Sequence, residues 1–170
     1  MLHIVLAEPQ IPQNTGNISR TCAVTGAVLH LIRPYGFEIS DKNLKRAGLD
    51  YWDKLTIYEY QNLDDFMNQH QNDKIYYFTT KSRKCHSDVN YKKQLKKHGD
   101  IYLMFGREDA GLPEELLIQH PKTAVRIPMR PTLRSLNLSN SVAIAAYEVL
   151  RQCGYPDMSA EGNLTKYEWE

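Results

Sequence analysis

The sequence predicts an α/β protein, a single domain built on a parallel sheet with helices on both faces. Three observations carry this. Six short apolar runs alternate with helical patterns, no linker or internal repeat breaks the alternation, and polar turns stand where strands lead into helices. At 170 residues and 42% hydrophobic, the chain suffices for one ordinary core and is short for two.

Taken in order, Leu2–Ala7 is a buried strand that runs into Glu8 and Pro9 without a signal-peptide pattern. A helix over Thr15–Thr25 follows, closed by Gly26, and Ala27–Ile32 is the second strand. Asp41–Ala47 reads as helix with Gly48 as its stop, and Leu55–Tyr58 as the third strand. Leu63–His70 is helical after the capping residue Asn62. Ile75–Thr79 and Ile101–Phe105 are the fourth and fifth strands, rich in β-branched and aromatic residues. Glu114–His120 is a helix after Pro113, Ala124–Ile127 the sixth strand, and Leu138–Cys153 a last helix stopped by Gly154.

Composition narrows the function. No apolar run approaches the roughly 18 residues of a membrane span, so a soluble protein with no membrane partner is expected. Cys22, Cys85 and Cys153 are odd in number and widely spaced, which suits reduced thiols in a cytoplasm. Cys85-His86 lacks a second spaced pair, so no metal is expected, and the six histidines read as structural. Net charge is only +1, but Lys81, Arg83, Lys84, Lys92, Lys93, Lys96 and Lys97 cluster against the single acid Asp88. That patch is either a solvated face or a phosphate-binding surface. The tail after Gly154 carries Asp157, Glu161, Glu168 and Glu170.

The first strand is followed by Glu8-Pro-Gln-Ile-Pro-Gln-Asn14 instead of a G-x-G-x-x-G fingerprint, which argues against a standard NAD-binding unit. Chemistry-bearing residues concentrate at three turns. Asn14 and Arg20 lie under two helical turns apart, and spacing alone leaves a ligand-edge pair and a cap plus surface charge equally open. Gly106 and Gly111 permit close backbone approach to a ligand, or serve turn geometry alone. Ser135 and Asn137 suit either ligand contact or capping of the last helix.

These turns resemble the three motifs of the SPOUT class of RNA methyltransferases. Ile11-Pro-Gln-Asn-Thr-Gly-Asn-Ile18, Arg46-Ala-Gly-Leu-Asp-Tyr51, Leu103-Met-Phe-Gly106 and Ser135-Leu-Asn-Leu-Ser-Asn140 are similar to the compact TrmL type, the tRNA wobble-nucleotide 2′-O-methyltransferases. The resemblance spans nearly the whole chain. It implies a Rossmann-like sheet ending in a C-terminal trefoil knot, with residues 1–154 as the methyltransferase domain and 155–170 as a tail. It further implies S-adenosylmethionine bound in the knot by Phe78, Thr79, Gly106, Glu108, Gly111, Ile127, Met129, Ser135, Leu136 and Asn140. Catalysis falls to Arg20, Asn14, Asn137 and Tyr147, although Tyr147 on a helix with Val142, Ala146 and Val149 also suits a core or subunit contact. Arg107 and Asp109 depart from the family pattern and receive no role.

The implied activity is methylation of the ribose 2′-hydroxyl of a wobble cytidine or 5-carboxymethylaminomethyluridine, in leucine tRNAs. A homodimer is expected from the resemblance and from the small and apolar residues Val142, Ala143, Ile144, Ala145, Ala146 and Val149 of the last helix, and with no room for an added RNA-binding domain it is expected to grip the anticodon stem-loop with its own surface. The alternatives are a SPOUT enzyme for another tRNA or rRNA position, and a non-catalytic RNA-binding protein of the same fold.

Overall fold

The computed structural model describes residues 1–37 and 55–169. The helix expected over Asp41–Ala47 and the Arg46–Tyr51 motif lie outside the described residues. Six strands form one parallel sheet: β1 (Leu2–Ala7), β2 (Val28–Ile32), β3 (Ile57–Tyr60), β4 (Ile75–Phe78), β5 (Ile101–Phe105) and β6 (Ala124–Val125), in the order β3-β2-β1-β5-β4-β6. Among the described residues the helices are α1 (Pro12–Thr25), α2 (Leu63–Gln69), α3 (Tyr91–His98), α4 (Glu114–Gln119) and α5 (Leu138–Cys153), with a 3-10 turn at His86–Asp88.

Alternation along each strand divides the core between the two faces. Leu2, Ile4 and Leu6 pack with Ile18 and Cys22 of α1, Tyr91 of α3, and Val142, Ala145, Ala146 and Val149 of α5. Burial among these residues pushes the Cys22 thiol up to about 12, so it stays a protonated core residue. Val5 and Ala7 point the other way, toward Phe66 of α2 and toward Leu116 and Leu117 of α4. Expected boundaries hold where a cap fixes them. Asn137 caps α5 and Gly154, at φ +79°, ends it; Asn62 caps α2; Gly26, at φ +69°, ends α1. The sequence reading did not name α3, whose Tyr91-Lys-Lys-Gln-Leu-Lys-Lys-His98 has only two apolar side chains. It is anchored by buried Tyr91 and by Gln152 of α5, which accepts from the Tyr91 N–H at 2.8 Å and donates to the Val89 carbonyl at 2.9 Å.

A hydrogen-bonded chain of rings crosses the α2 face. His3 Nδ1 lies 2.9 Å from His30 Nε2, His30 Nδ1 lies 2.8 Å from the Tyr60 hydroxyl, that hydroxyl lies 2.9 Å from His70 Nε2, and His70 Nδ1 meets Asp73 at 2.7 Å. Asp73 can only accept, so His70 donates to it from Nδ1, and burial holds His3 and His30 below their usual range. Phe66 and Tyr102 pack against these rings and keep water from them. His3, His30 and His70 are thus tied into the packing of this face.

Candidate functional site

β1 has β2 on one side and β5 on the other, so the chain leaves β1 and β5 in opposite senses. In a parallel sheet such a switch point opens a crevice at the carboxyl ends of the strands. A cavity of about 870 Å³ lies there, walled by the segments that follow β1, β4, β5 and β6 and by the start of α5. Its size suits a nucleoside-sized ligand with an extension.

Of the residues singled out by sequence, Asn14, Phe78, Thr79, Gly106, Glu108, Gly111, Ile127, Met129, Ser135, Leu136 and Asn137 line this cavity. Arg20, Asn140 and Tyr147 do not. Arg20 is on the exposed side of α1 while Asn14, six residues earlier, is buried, so the helix places the pair on different faces. Tyr147 is 41% exposed beside Ile144 on the outer side of α5, which removes the core reading of that residue. Asn140 acts through its backbone, donating to Asn137 Oδ1 at 3.3 Å.

Three of the lining residues form a polar lock. Asn137 Nδ2 donates to Asn14 Oδ1 at 2.9 Å, and Asn14 Nδ2 donates to Glu108 Oε1 at 2.9 Å. Glu108 also accepts the Gln10 N–H at 2.8 Å and the Ile11 N–H at 3.1 Å. Asn137 Oδ1 caps α5, accepting from the Ser139 N–H at 2.9 Å and the Ser139 hydroxyl at 2.7 Å. Both readings of Asn137 therefore hold together, as cap and as pocket wall. The lock joins the segment following β1 to those following β5 and β6, 94 and 123 residues away in sequence. Glu108 shapes the pocket by fixing the approach to α1, with both carboxylate oxygens engaged by the protein itself.

The glycines divide differently from expectation. A Cβ on Gly106 would stand 2.1 Å from the Gly111 carbonyl carbon and 2.3 Å from the Leu112 nitrogen, so the loop's own backbone requires glycine there. Gly111, at φ +72°, has open space around it and serves the turn. The sequence reading left Arg107 and Asp109 without a role, and they form a bidentate pair at 3.0 and 2.9 Å, with Glu8 3.5 Å from the same guanidinium. The pair holds the Asp109 carboxyl below its usual range. Phe105, stacked on Phe78 at 4.7 Å between centroids, and Arg134 also line the wall, and the sequence had assigned neither a role.

Of the basic patch, Lys92, Lys93, Lys96 and Lys97 are exposed on α3, while Lys81 lines the cavity and pairs with Glu114 at 2.6 Å. Lys74 belongs with them: burial, Lys84 and Lys97 hold its ammonium below the usual range. Among the described residues no cluster of three or more His, Cys, Asp or Glu is arranged to hold a metal ion. Among the same residues no helix is long and apolar enough to cross a membrane.

An all-parallel sheet with a glycine-containing, polar crevice at its switch point defines an α/β protein with a ligand-binding edge at the carboxyl ends of its strands, without the dinucleotide fingerprint. Comparison with known proteins makes this specific. The chain belongs to the SpoU rRNA Methylase family, whose family model matches residues 1–147. It is 47% identical over 157 residues to the tRNA (cytidine(34)-2'-O)-methyltransferase of Escherichia coli K12, covering 92% of this chain and 96% of that protein. A Bacillus anthracis structure, provisionally described as an RNA methyltransferase, superposes with a TM-score of 0.87 at 46% identity, covering 95% of this chain and 99% of the other. A second structure, described as giving insight into the 2-OH methylation of C/U34 on tRNA, matches with a TM-score of 0.81 at 42% identity, covering 91% and 97%.

Proposed function

We propose that this protein transfers a methyl group from S-adenosylmethionine to the ribose 2′-hydroxyl of the tRNA wobble nucleotide, cytidine(34) or a modified uridine such as 5-carboxymethylaminomethyluridine, in leucine tRNAs. The observation that carries this is the Glu108–Asn14–Asn137 lock at the cavity edge, in a chain that matches a tRNA (cytidine(34)-2'-O)-methyltransferase over nearly its full length. The working unit is residues 1–154 in the cytoplasm, with 155–170 as a tail; residues 155–169 form neither helix nor strand.

The cavity fits the cofactor on its own chemistry. Phe78, Phe105 and Ile127 offer an apolar slot for an adenine ring, while Thr79, Ser135, Leu136, Met129, Gly106 and Gly111 bring small polar groups and backbone beside it. When bound, the sulfonium supplies an electrophilic methyl. Transfer requires the ribose oxygen in line with that methyl, loss of the hydroxyl proton and stabilisation of the charge that develops on oxygen. Asn14 and Asn137, held rigid by each other, orient the ribose. Arg20 is assigned to the acceptor and not to the cofactor, in keeping with its place outside the cavity wall. A guanidinium has no acceptor lone pair, so its role is to stabilise the alkoxide rather than to take the proton.

A C-terminal trefoil knot is supported by the pairing around β6. On one side Thr79 N–H donates to Val125 O at 2.9 Å; on the other, Arg126 N–H donates to Lys84 O and His86 N–H to Arg126 O, both at 2.9 Å. The chain leaving β4 thus turns along the far edge of β6 before α3 returns it to β5, a course that a knot around the segment leading to α5 would require. A homodimer is supported by Ile144 and Tyr147, 42% and 41% exposed on α5, which present an apolar stripe to a second copy and place Tyr147 near a shared site. The basic side chains of α3 supply phosphate contacts for the anticodon stem-loop.

Methyl transfer from tritiated S-adenosylmethionine to total tRNA, followed by nucleotide mapping, tests the reading. A mark on the ribose of nucleotide 34 is the expected result. A mark elsewhere in tRNA, or on ribosomal RNA alone, overturns the wobble assignment, and RNA binding without transfer overturns the enzyme.

A further inference from the structure

The cavity wall carries three cationic side chains, Lys81, Arg107 and Arg134. Two are neutralised by the protein's own carboxylates. Lys81 pairs with Glu114 at 2.6 Å, and Arg107 is clasped by Asp109 at 2.9 Å with Glu8 at 3.5 Å. Arg134 is different: among the described residues its side chain makes no ion pair and no hydrogen bond. It is exposed, in a run of exposed residues from 130 to 137, and stands three positions before Asn137. Neither acid that shares the wall is paired with it: Glu108 accepts from Gln10, Ile11 and Asn14, and Asp109 from Arg107.

On the proposed reaction, a fixed geometric constraint ties this charge to the substrate. The reacting oxygen sits on ribose C2′, and the neighbouring carbon C3′ carries the phosphodiester to the next nucleotide. Any pose that brings the 2′-hydroxyl to the Asn14–Asn137 edge therefore brings an anion to the same rim of the cavity. A guanidinium binds a phosphate with paired N–H donors, fixing position and orientation together.

We infer that Arg134 is the substrate-gripping residue of this site, binding the phosphate 3′ to the methylated ribose and setting the acceptor in line. The inference rests on the reading above that the acceptor is an RNA ribose. The other anion within reach is the carboxylate of an amino-acid cofactor, and the experiment separates the two.

The test compares wild type, Arg134→Gln and Arg134→Lys by calorimetry with S-adenosylmethionine, by anisotropy with a fluorescent anticodon stem-loop over a salt series, and by steady-state methyl transfer. For Arg134→Gln the expected result is unchanged cofactor affinity and RNA binding weakened about tenfold, with a salt slope lower by about one. The KM for RNA rises in step while kcat falls less, and Arg134→Lys recovers part of the affinity but not the in-line placement, so its kcat stays low. Cofactor affinity lost in Arg134→Gln assigns the guanidinium to the cofactor carboxylate and overturns the inference. RNA affinity and salt slope equal to wild type overturn it as well. Failure of the wild-type protein to methylate RNA would instead refute the proposed function, and the anisotropy series still decides whether Arg134 holds a phosphate.

Discussion

Acidification should destabilise this protein well before its carboxylates titrate, because of the ring chain beneath α2. Burial, with smaller contributions from His3 and His70, pushes His30 from its ordinary value near 6.5 down to about 3. Burial also lowers His3, against an opposing pull from Asp100. A histidine with a depressed folded pKa stays neutral in the native state while the unfolded chain takes up a proton. Its contribution is therefore complete above about pH 6.5 and is lost as the pH falls toward the folded value. For His30, which is only 2% exposed, the loss between about pH 7.5 and pH 5 is about 2 kcal/mol, and His3 adds in the same direction. The carboxylates held below their usual range, Asp65, Asp100, Asp109, Glu114 and Glu148, act only below about pH 5, so the window isolates the histidines.

Urea unfolding at about pH 7.5, 6 and 5 measures this directly. His30→Leu serves as the control. It lowers stability at neutral pH by about 1–3 kcal/mol, since His3 Nδ1 and the Tyr60 hydroxyl lose their partner, but it flattens the dependence on pH. A wild-type stability that stays level or rises between about pH 7.5 and pH 5 would refute the buried, neutral state of His30. So would an equal slope in His30→Leu.

Glu108→Gln places an amide N–H₂ among the donors of Gln10, Ile11 and Asn14, and should cost about 1–3 kcal/mol of stability and weaken cofactor binding, read by urea midpoints and calorimetry. Gly106→Ala should disrupt the loop through its collision with Gly111 and Leu112, whereas Gly111→Ala, with open space, should cost only the left-handed backbone penalty of about 1 kcal/mol and keep cofactor binding. Arg20→Ala should leave cofactor affinity intact and cut methyl transfer by about a hundredfold or more, and activity near wild type would show that Arg20 is misassigned.

The fold was legible where local chemistry decides it. Helix α5 has the residues expected because Asn137 starts it and Gly154 stops it, and β1 and β5 match because both are central, continuous apolar runs. Edge strands drifted. β3 begins at Ile57 rather than Leu55, and β6 is only Ala124–Val125, since beyond it Arg126 pairs with the loop at Lys84–His86 instead of β4. α1 begins at Pro12, before the expected Thr15, with no side-chain cap of its own. That start could not be read locally, because the carboxylate fixing it is Glu108, 97 residues from Ile11. The ring chain was invisible for the same reason: its links join residues 27 and 30 positions apart, and each histidine alone looks like any core histidine.

The candidate site shows where family resemblance and physics divide the labour. Resemblance picked out Asn14, Glu108 and Asn137 as separate residues with separate tasks, and geometry makes them one object. Asn14 cannot be exchanged without leaving Glu108 and Asn137 each short of a partner, so the three should couple in double-mutant cycles, and their single effects should not add. A crevice at a switch point is open by construction, because the strands beside it lead away in opposite directions. The lock closes its floor with hydrogen bonds among three distant segments, at a place where a hydrophobic contact would compete with the ligand for the same surface. The polar lock is thus the wall that shapes the cavity and, on the proposed function, the edge at which the acceptor is received. That dual duty explains why residues with ordinary capping chemistry stand where the reaction is proposed to occur.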